Sequence, residues 1–164
     1  MKKLVLALGL LVSTSVFADK LPGVPACDVS PDNVRSDVGN AGCLVKIEGK
    51  LLMIRHLKKG KIGIPGGHQE KEESAQCTAH RETWEETGLN VRVGKLLKKF
   101  KNGFFLFQCE AKDVPKIEGD KLPLPEWAKN EVTEVWVKDP KTIDKKDYRF
   151  PKQLTEIQQL FSTL

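Results

Sequence analysis

The chain has 164 residues, 40% of them hydrophobic and 30% charged, with a net charge of +5. This composition excludes a wholly disordered or membrane-embedded protein, and the length suits one domain with a sizeable core. The lysines are scattered in short runs of the kind that form solvated faces, and they make no aromatic–basic pattern that argues for a nucleic-acid partner.

Met1-Lys2-Lys3 is a basic start, Leu4 to Val12 (LVLALGLLV) is apolar, and Val16-Phe17-Ala18 places small residues where a signal peptidase inspects the chain. This is the layout of a secretory signal peptide over residues 1–18, cleaved after Ala18. Nine apolar residues are too few to cross a bilayer, so no stable membrane insertion is expected after cleavage. Losing Lys2 and Lys3 takes the net charge from +5 to +3. The mature protein is expected in the periplasm or secreted.

Residues 19–40 contain Pro22, Pro25 and Pro31 and show little periodicity, so they predict an irregular N-terminal extension to a domain over 41–164. The four cysteines, Cys27, Cys43, Cys77 and Cys109, predict at least one disulfide in an exported chain, with three pairings open. No pair has zinc-finger spacing.

Cys43, Val45 and Ile47 alternate with less apolar positions, Glu48-Gly49-Lys50 can turn, and LLMIR over 51–55 makes a second strand, the signature of a hairpin. Ile62-Gly63-Ile64 follows, then the break Pro65-Gly66-Gly67. A helix is predicted from Ser74 to Thr87, capped by Ser74 and ended by Gly88. Leu89 to Val93 and Phe104 to Ala111 read as strands, 113–125 as a proline-rich loop, and Glu131 to Val137 as a further strand. Pro151 opens a last helix whose Leu154, Ile157, Leu160, Phe161 and Leu164 share one face. Strands interleaved with two helices predict one α/β (α+β) domain.

The middle helix carries the chemistry. At about 100° per residue, Glu82, Glu85 and Glu86 point within an arc of roughly 100°. Like charges at these spacings repel, so the sequence needs a compensating cation. Arg81 is the one basic residue between His80 and Gly88, and one guanidinium cannot balance three acids. Oxygen ligands of this kind suit Mg²⁺, Mn²⁺ or Ca²⁺. The opposite side of the wheel carries Trp84 and Cys77 and is expected to pack on protein. The N-terminal extension could cover it, with Cys27 bonded to Cys77.

Gly67, Glu73, Arg81, Glu82, Glu85, Glu86 and Gly88 fit the pattern G-x5-E-x7-R-E-U-x-E-E-x-G-U, where U is a large aliphatic residue. The stretch resembles the signature box of the Nudix hydrolases, with all seven invariant-type positions filled. Two departures stand out: Thr83 occupies the first U position, and Glu72 stands where family members often have glycine.

The resemblance implies a mixed central sheet in an α/β/α sandwich, and hydrolysis of a small-molecule diphosphate, such as a nucleoside diphosphate derivative, with Mg²⁺ or alternatively Mn²⁺. By position, it implies Glu82, Glu85, Glu86 and the Gly67 carbonyl as metal ligands, Glu82 as a candidate for activating water, Arg81 and Glu73 as a supporting pair, and Gly88 as helix terminator. Glu131, with Glu126 as the other acid in that region, is a candidate distal base. His68 and His80 could touch phosphate, and Phe104 and Phe107 could stack a base; packing roles are the simpler expectation for all four. The alternative functions are a non-catalytic binding module for a phosphorylated ligand and a diphosphate isomerase.

Overall fold

A computed structural model of the chain describes residues 23–164. The predicted signal peptide lies outside them. Among the described residues, no helix is long and apolar enough to cross a membrane.

The first strand, β1 (Ala41–Ile47), turns into β2 (Lys50–His56) through Glu48 and Gly49. Both turn residues have positive φ, +49° and +77°, as a two-residue hairpin with the twist of the strands requires. Two short strands follow, β3 (Ile62–Gly63) and β4 (Gly66–Gly67), then α1 (Ala75–Thr87), β5 (Val91–Lys99), β6 (Phe105–Ala111), β7 (Lys121–Leu122), β8 (Val132–Lys138) and α2 (Leu154–Ser162). The sheet order is β5-β6-β1-β2-β8-β7, with β3 added to β2 and β4 to β1. The β1–β6 pair is parallel and the others are antiparallel, so the expected mixed sheet is present.

Alternate residues of the strands feed two cores. Cys43, Val45, Leu52, Ile54, Phe107 and Val135 pack with Ala75 and Ala79 of α1. Leu44, Leu51, Met53, Leu106 and Trp136 pack with Leu154, Ile157 and Phe161 of α2. With both faces covered, β1 is buried at every position except Lys46. Central strands of a sandwich therefore read as apolar runs, not as the clean alternation of a half-wet sheet. The last helix begins at Leu154, after a turn over 151–153, three residues later than Pro151 suggests; its apolar face is the expected one.

The extension forms one short 3₁₀ turn, Pro31–Asn33, and is held by backbone pairing with β5. Ser30 N–H donates to the Val93 carbonyl at 2.8 Å, and Val93 N–H to that of Asp28 at 2.9 Å. Two disulfides join Cys27 to Cys77 and Cys43 to Cys109. The first ties the extension to α1, and the second bridges β1 and β6. Trp84 is covered differently from the expectation: it stacks on Trp127, ring centroids 5.5 Å apart, in the 3₁₀ turn Glu126–Asn130.

Candidate active site

Helix α1 sits against the sheet with an unusually polar buried face: Gln76, Thr78, His80, Arg81, Glu82, Thr83, Glu86 and Thr87 are all buried. Buried polar groups require partners, and these have them. The Thr83 hydroxyl donates to the Ala79 carbonyl at 2.7 Å, so the departure from a large aliphatic residue is met by a hydrogen bond back along the helix. His80 Nε2 lies 3.1 Å from Asn90 Oδ1, a packing role. The helix starts on Ser74, whose hydroxyl accepts from Cys77 N–H at 3.2 Å, and ends on Gly88 at φ +73°, donating to the Trp84 carbonyl. That left-handed cap fixes where the acids stop.

Arg81 organises the acids. Its Nε and Nη2 donate to the two oxygens of Glu73, each at 3.0 Å, and Nη2 also reaches the His68 carbonyl at 2.8 Å. The pairing of Arg81 with Glu73 is therefore present and locks the loop 67–73 onto α1. Nη1 donates to Glu82 Oε1 at 3.1 Å and Glu85 Oε2 at 2.8 Å. Glu86 turns the other way, its Oε2 accepting from Gly66 N–H at 2.8 Å. Gly67 lies against Glu82 so closely that a β-carbon there would collide with the carboxylate. This close approach is a physical reason for glycine at the head of the box.

Burial dominates the electrostatics. It pushes Glu82 up to about 7, with Arg81 opposing and Glu85 and Glu131 adding repulsion. Burial likewise raises Glu85 against the pull of Arg81, and holds Glu86 well above the ordinary carboxylate range despite the Gly66 N–H. His56 Nδ1 stands 4.0 Å from Glu86 Oε1, but burial and then Arg149 lower His56 to about 4. The two are not an ion pair at neutral pH.

A cavity of about 640 Å³ opens over this cluster, lined by Gly67, Glu82, Glu85, Glu86 and Glu131 among others. Among the described residues, no three acidic, histidine or cysteine side chains converge as arranged on a point suited to a metal ion, since Arg81 engages oxygens of both Glu82 and Glu85. The donor chemistry nonetheless fits a hard divalent cation. Clustered carboxylates whose pKa values burial and neighbouring acids raise are the groups whose charged form an added cation would stabilise.

Sequence reasoning did not find His56, Arg149 or the turn Lys58–Lys61, all of which line the same cavity. A smaller cavity of about 240 Å³ adjoins it, sharing Gly66, Gly67, His56, His68 and Arg149, and lined further by Phe104 and Phe150. Phe107 is fully buried in the core, so of the two phenylalanines considered for stacking, Phe104 alone reaches a cavity. The Lys58–Lys61 run is visible as charge, but its place in the lining shared with the acids depends on the β2–β3 register, which has no local signal.

Glu72 has φ +63°, a conformation that costs a non-glycine residue roughly 1–2 kcal/mol. Its one ion pair, with Lys71 at 3.8 Å, is fully in solvent and contributes little. Glycine loses about 0.5–1 kcal/mol more backbone entropy on folding, so Glu72→Gly should stabilise by a net of about 0.5 kcal/mol. Urea unfolding of both proteins checks this; a destabilised variant would mean the Glu72 side chain has a partner.

The family model described as the NUDIX domain matches residues 38–154. The chain is 42% identical over 65 residues to a MutT-like protein of Streptomyces ambofaciens, covering 40% of this chain. It is 34% identical over 82 residues to phosphatase NudJ of Escherichia coli K12, covering 44% of this chain. These matches span 42% and 54% of the relatives' own lengths. In fold, it is similar to a solved NUDIX hydrolase from Nitrosomonas europaea, with a TM-score of 0.60 and 21% identity over 79% of this chain and 73% of the other.

Proposed function

Because this chain belongs to the Nudix family, we propose that it hydrolyses a diphosphate linkage in a small phosphorylated compound, using a divalent cation held by Glu82, Glu85, Glu86 and the Gly67 carbonyl. The observation that carries this reading is the cluster of buried Glu82 and Glu86 and half-buried Glu85 lining one cavity, with raised carboxyl pKa values and Arg81 bonded to two of the three. A fold gains nothing in stability from such repulsion, and a cation site explains it. Mg²⁺ is the preferred ion and Mn²⁺ the alternative. When bound, such an ion would supply charge neutralisation for the diphosphate oxygens and the leaving group.

The protein's own residues then have separate tasks. Arg81 orients Glu82 and Glu85 through Nη1, and Glu73 holds Arg81 in place through the other side of the guanidinium. Glu86 fixes the β4 backbone through Gly66 N–H, keeping Gly67 against Glu82. Glu131, exposed and lining the same cavity, is our candidate for taking a proton from the attacking water. An extracytoplasmic setting belongs to the same reading; two disulfides among the described residues suit an oxidising compartment.

A panel of nucleoside triphosphates, nucleotide sugars and dinucleoside diphosphates, scored for phosphate-containing products with Mg²⁺ and again with EDTA, tests the proposal. Turnover that disappears with EDTA and returns with Mg²⁺ or Mn²⁺ is expected. Undiminished turnover in EDTA, or metal-dependent binding without turnover on any compound, would overturn it, the latter favouring a binding module.

A further inference from the structure

The acids line the larger cavity. Lys58, Lys59 and Lys61 of the turn 57–61, together with Arg149, are part of the same lining. The turn is held in place. Gly60 N–H donates to the His56 carbonyl at 2.9 Å, His56 N–H to that of Lys61 at 2.9 Å, and Leu57 N–H to that of Glu131 at 2.8 Å. The Arg55 guanidinium meets the Gly60 carbonyl at 2.6 Å. Lys61 Nζ caps the Lys146 carbonyl at 2.6 Å. Lys58 and Lys59 are exposed, and among the described residues neither joins the ion pairs that use other lysines of the fold. Arg149 leans on His56 Nε2 at 3.3 Å and on the Phe150 ring at 5.2 Å. A hydrogen-bonded turn therefore presents two lysine charges, used in no ion pair among the described residues, to the cavity that the acids line.

The smaller cavity has the opposite character. Phe104 and Phe150 line it together with the amides of Asn40, Asn102 and Gln153. Flat apolar faces with a few amide donors and acceptors suit a nucleobase, whose ring stacks and whose edge hydrogen-bonds. Both cavities meet at Gly66 and Gly67, beside the acids.

We infer that the substrate is a nucleoside carrying three or more phosphates, its base between Phe104 and Phe150 and its terminal phosphate against Lys58, Lys59 and Arg149. This rests on the hydrolase reading above and names the substrate class for that site. A terminal phosphate carries close to −2 near neutral pH and meets lysine and arginine through charge-assisted hydrogen bonds. The sugar of a nucleotide sugar is neutral and would leave these cations without a counter-charge. The reaction is unchanged: one water is consumed, one P–O–P bridge breaks, and two phosphate-bearing products leave.

The test compares a nucleoside triphosphate (GTP or ATP) with ADP-ribose and UDP-glucose, in the full chain and in the doubly substituted Lys58→Ala/Lys59→Ala protein. Binding of methylene-bridged analogues with Mg²⁺ is measured by calorimetry beside turnover. The double substitution should weaken triphosphate binding and lower its kcat/KM through KM, each by about tenfold or more, and leave ADP-ribose within about twofold, since it lacks a terminal phosphate. Phe150→Ala should weaken the nucleotide analogue and leave inorganic triphosphate unaffected. Equal losses on both compound classes, no loss on either, or no binding of the triphosphate analogue would overturn the inference. Selective binding without turnover would instead sink the hydrolase reading and leave this assignment standing; turnover with no lysine dependence would do the reverse.

Discussion

Glu82→Gln is expected to lower kcat by about a thousandfold while leaving the fold intact. The side chain stands between Arg81, whose Nη1 donates to Oε1 at 3.1 Å, and Gly67, where no β-carbon fits. Glutamine keeps the volume and can still accept from Arg81. What it cannot do is carry negative charge, which both proposed roles of Glu82, cation ligand and water activation, require. The stability of the metal-free protein should move the other way. Burial, opposed by Arg81 and reinforced by Glu85 and Glu131, raises the folded carboxyl to about 7 from an ordinary 4.5. The folded state therefore binds the proton more tightly than the unfolded chain. Stability contributed by that proton is present below about 4.5 and is lost as pH rises through about 7. In EDTA, wild type should lose stability across that window, and Glu82→Gln should lose less. Kinetics with Mg²⁺ and unfolding in EDTA check both halves. Near-normal kcat, or a variant less stable than wild type at pH 8, would remove Glu82 from the centre of the chemistry.

That one substitution should impair activity and relieve the fold explains why this part of the molecule was legible in advance. Glu82, Glu85 and Glu86 conflict with helix stability, and Gly67, Glu73 and Gly88 stand at fixed distances from them because one loop-and-helix unit positions them all. Local spacing therefore carried the site's centre. Local signals also carried β2, α1 and its caps. They did not carry β4, because Gly66 and Gly67 have no strand propensity and pair with Ala41 and Gly42 through tertiary packing. Nor did they carry β7, two residues in a proline-rich segment paired with β8. The site's outer wall depends on the same long-range register. Glu131, a candidate through the family resemblance and not through any local spacing, follows a 3₁₀ turn that Trp127 docks on Trp84. Arg149 and Phe150 come from the segment before α2, where Arg149 N–H bonds the Ile62 carbonyl. Residues brought together from four separate segments have no common spacing to read.

Arg81→Ala should be the most destabilising single change in the box, costing about 3–5 kcal/mol, or roughly 10 °C in melting temperature for a domain of this size. The guanidinium is largely buried and bonds Glu73, Glu82, Glu85 and the His68 carbonyl at once. Removing it takes this donor from Glu82, Glu85 and the His68 carbonyl, and leaves Glu73 with only the Glu70 N–H and the Thr78 hydroxyl. Part of the loss is recovered as Glu82 and Glu85, already raised by burial, take up protons. Glu73 behaves differently. Burial pushes it up, but Arg81, the Glu70 N–H and Thr78 outweigh that and hold it below its ordinary 4.5. Its contribution is present above that value and is lost as pH falls through the lowered one. The gap between wild type and Arg81→Ala should therefore be widest at neutral pH and narrow in acid. Arg81→Lys keeps the charge but cannot span Glu73 on one side and Glu82 and Glu85 on the other, so it should recover less than half of the lost stability. Denaturant unfolding of the three proteins between pH 3 and pH 8 decides the matter. A cost below about 1 kcal/mol at pH 7, typical of a surface pair, or a gap that widens in acid, would show that Arg81 does not hold the loop to the helix.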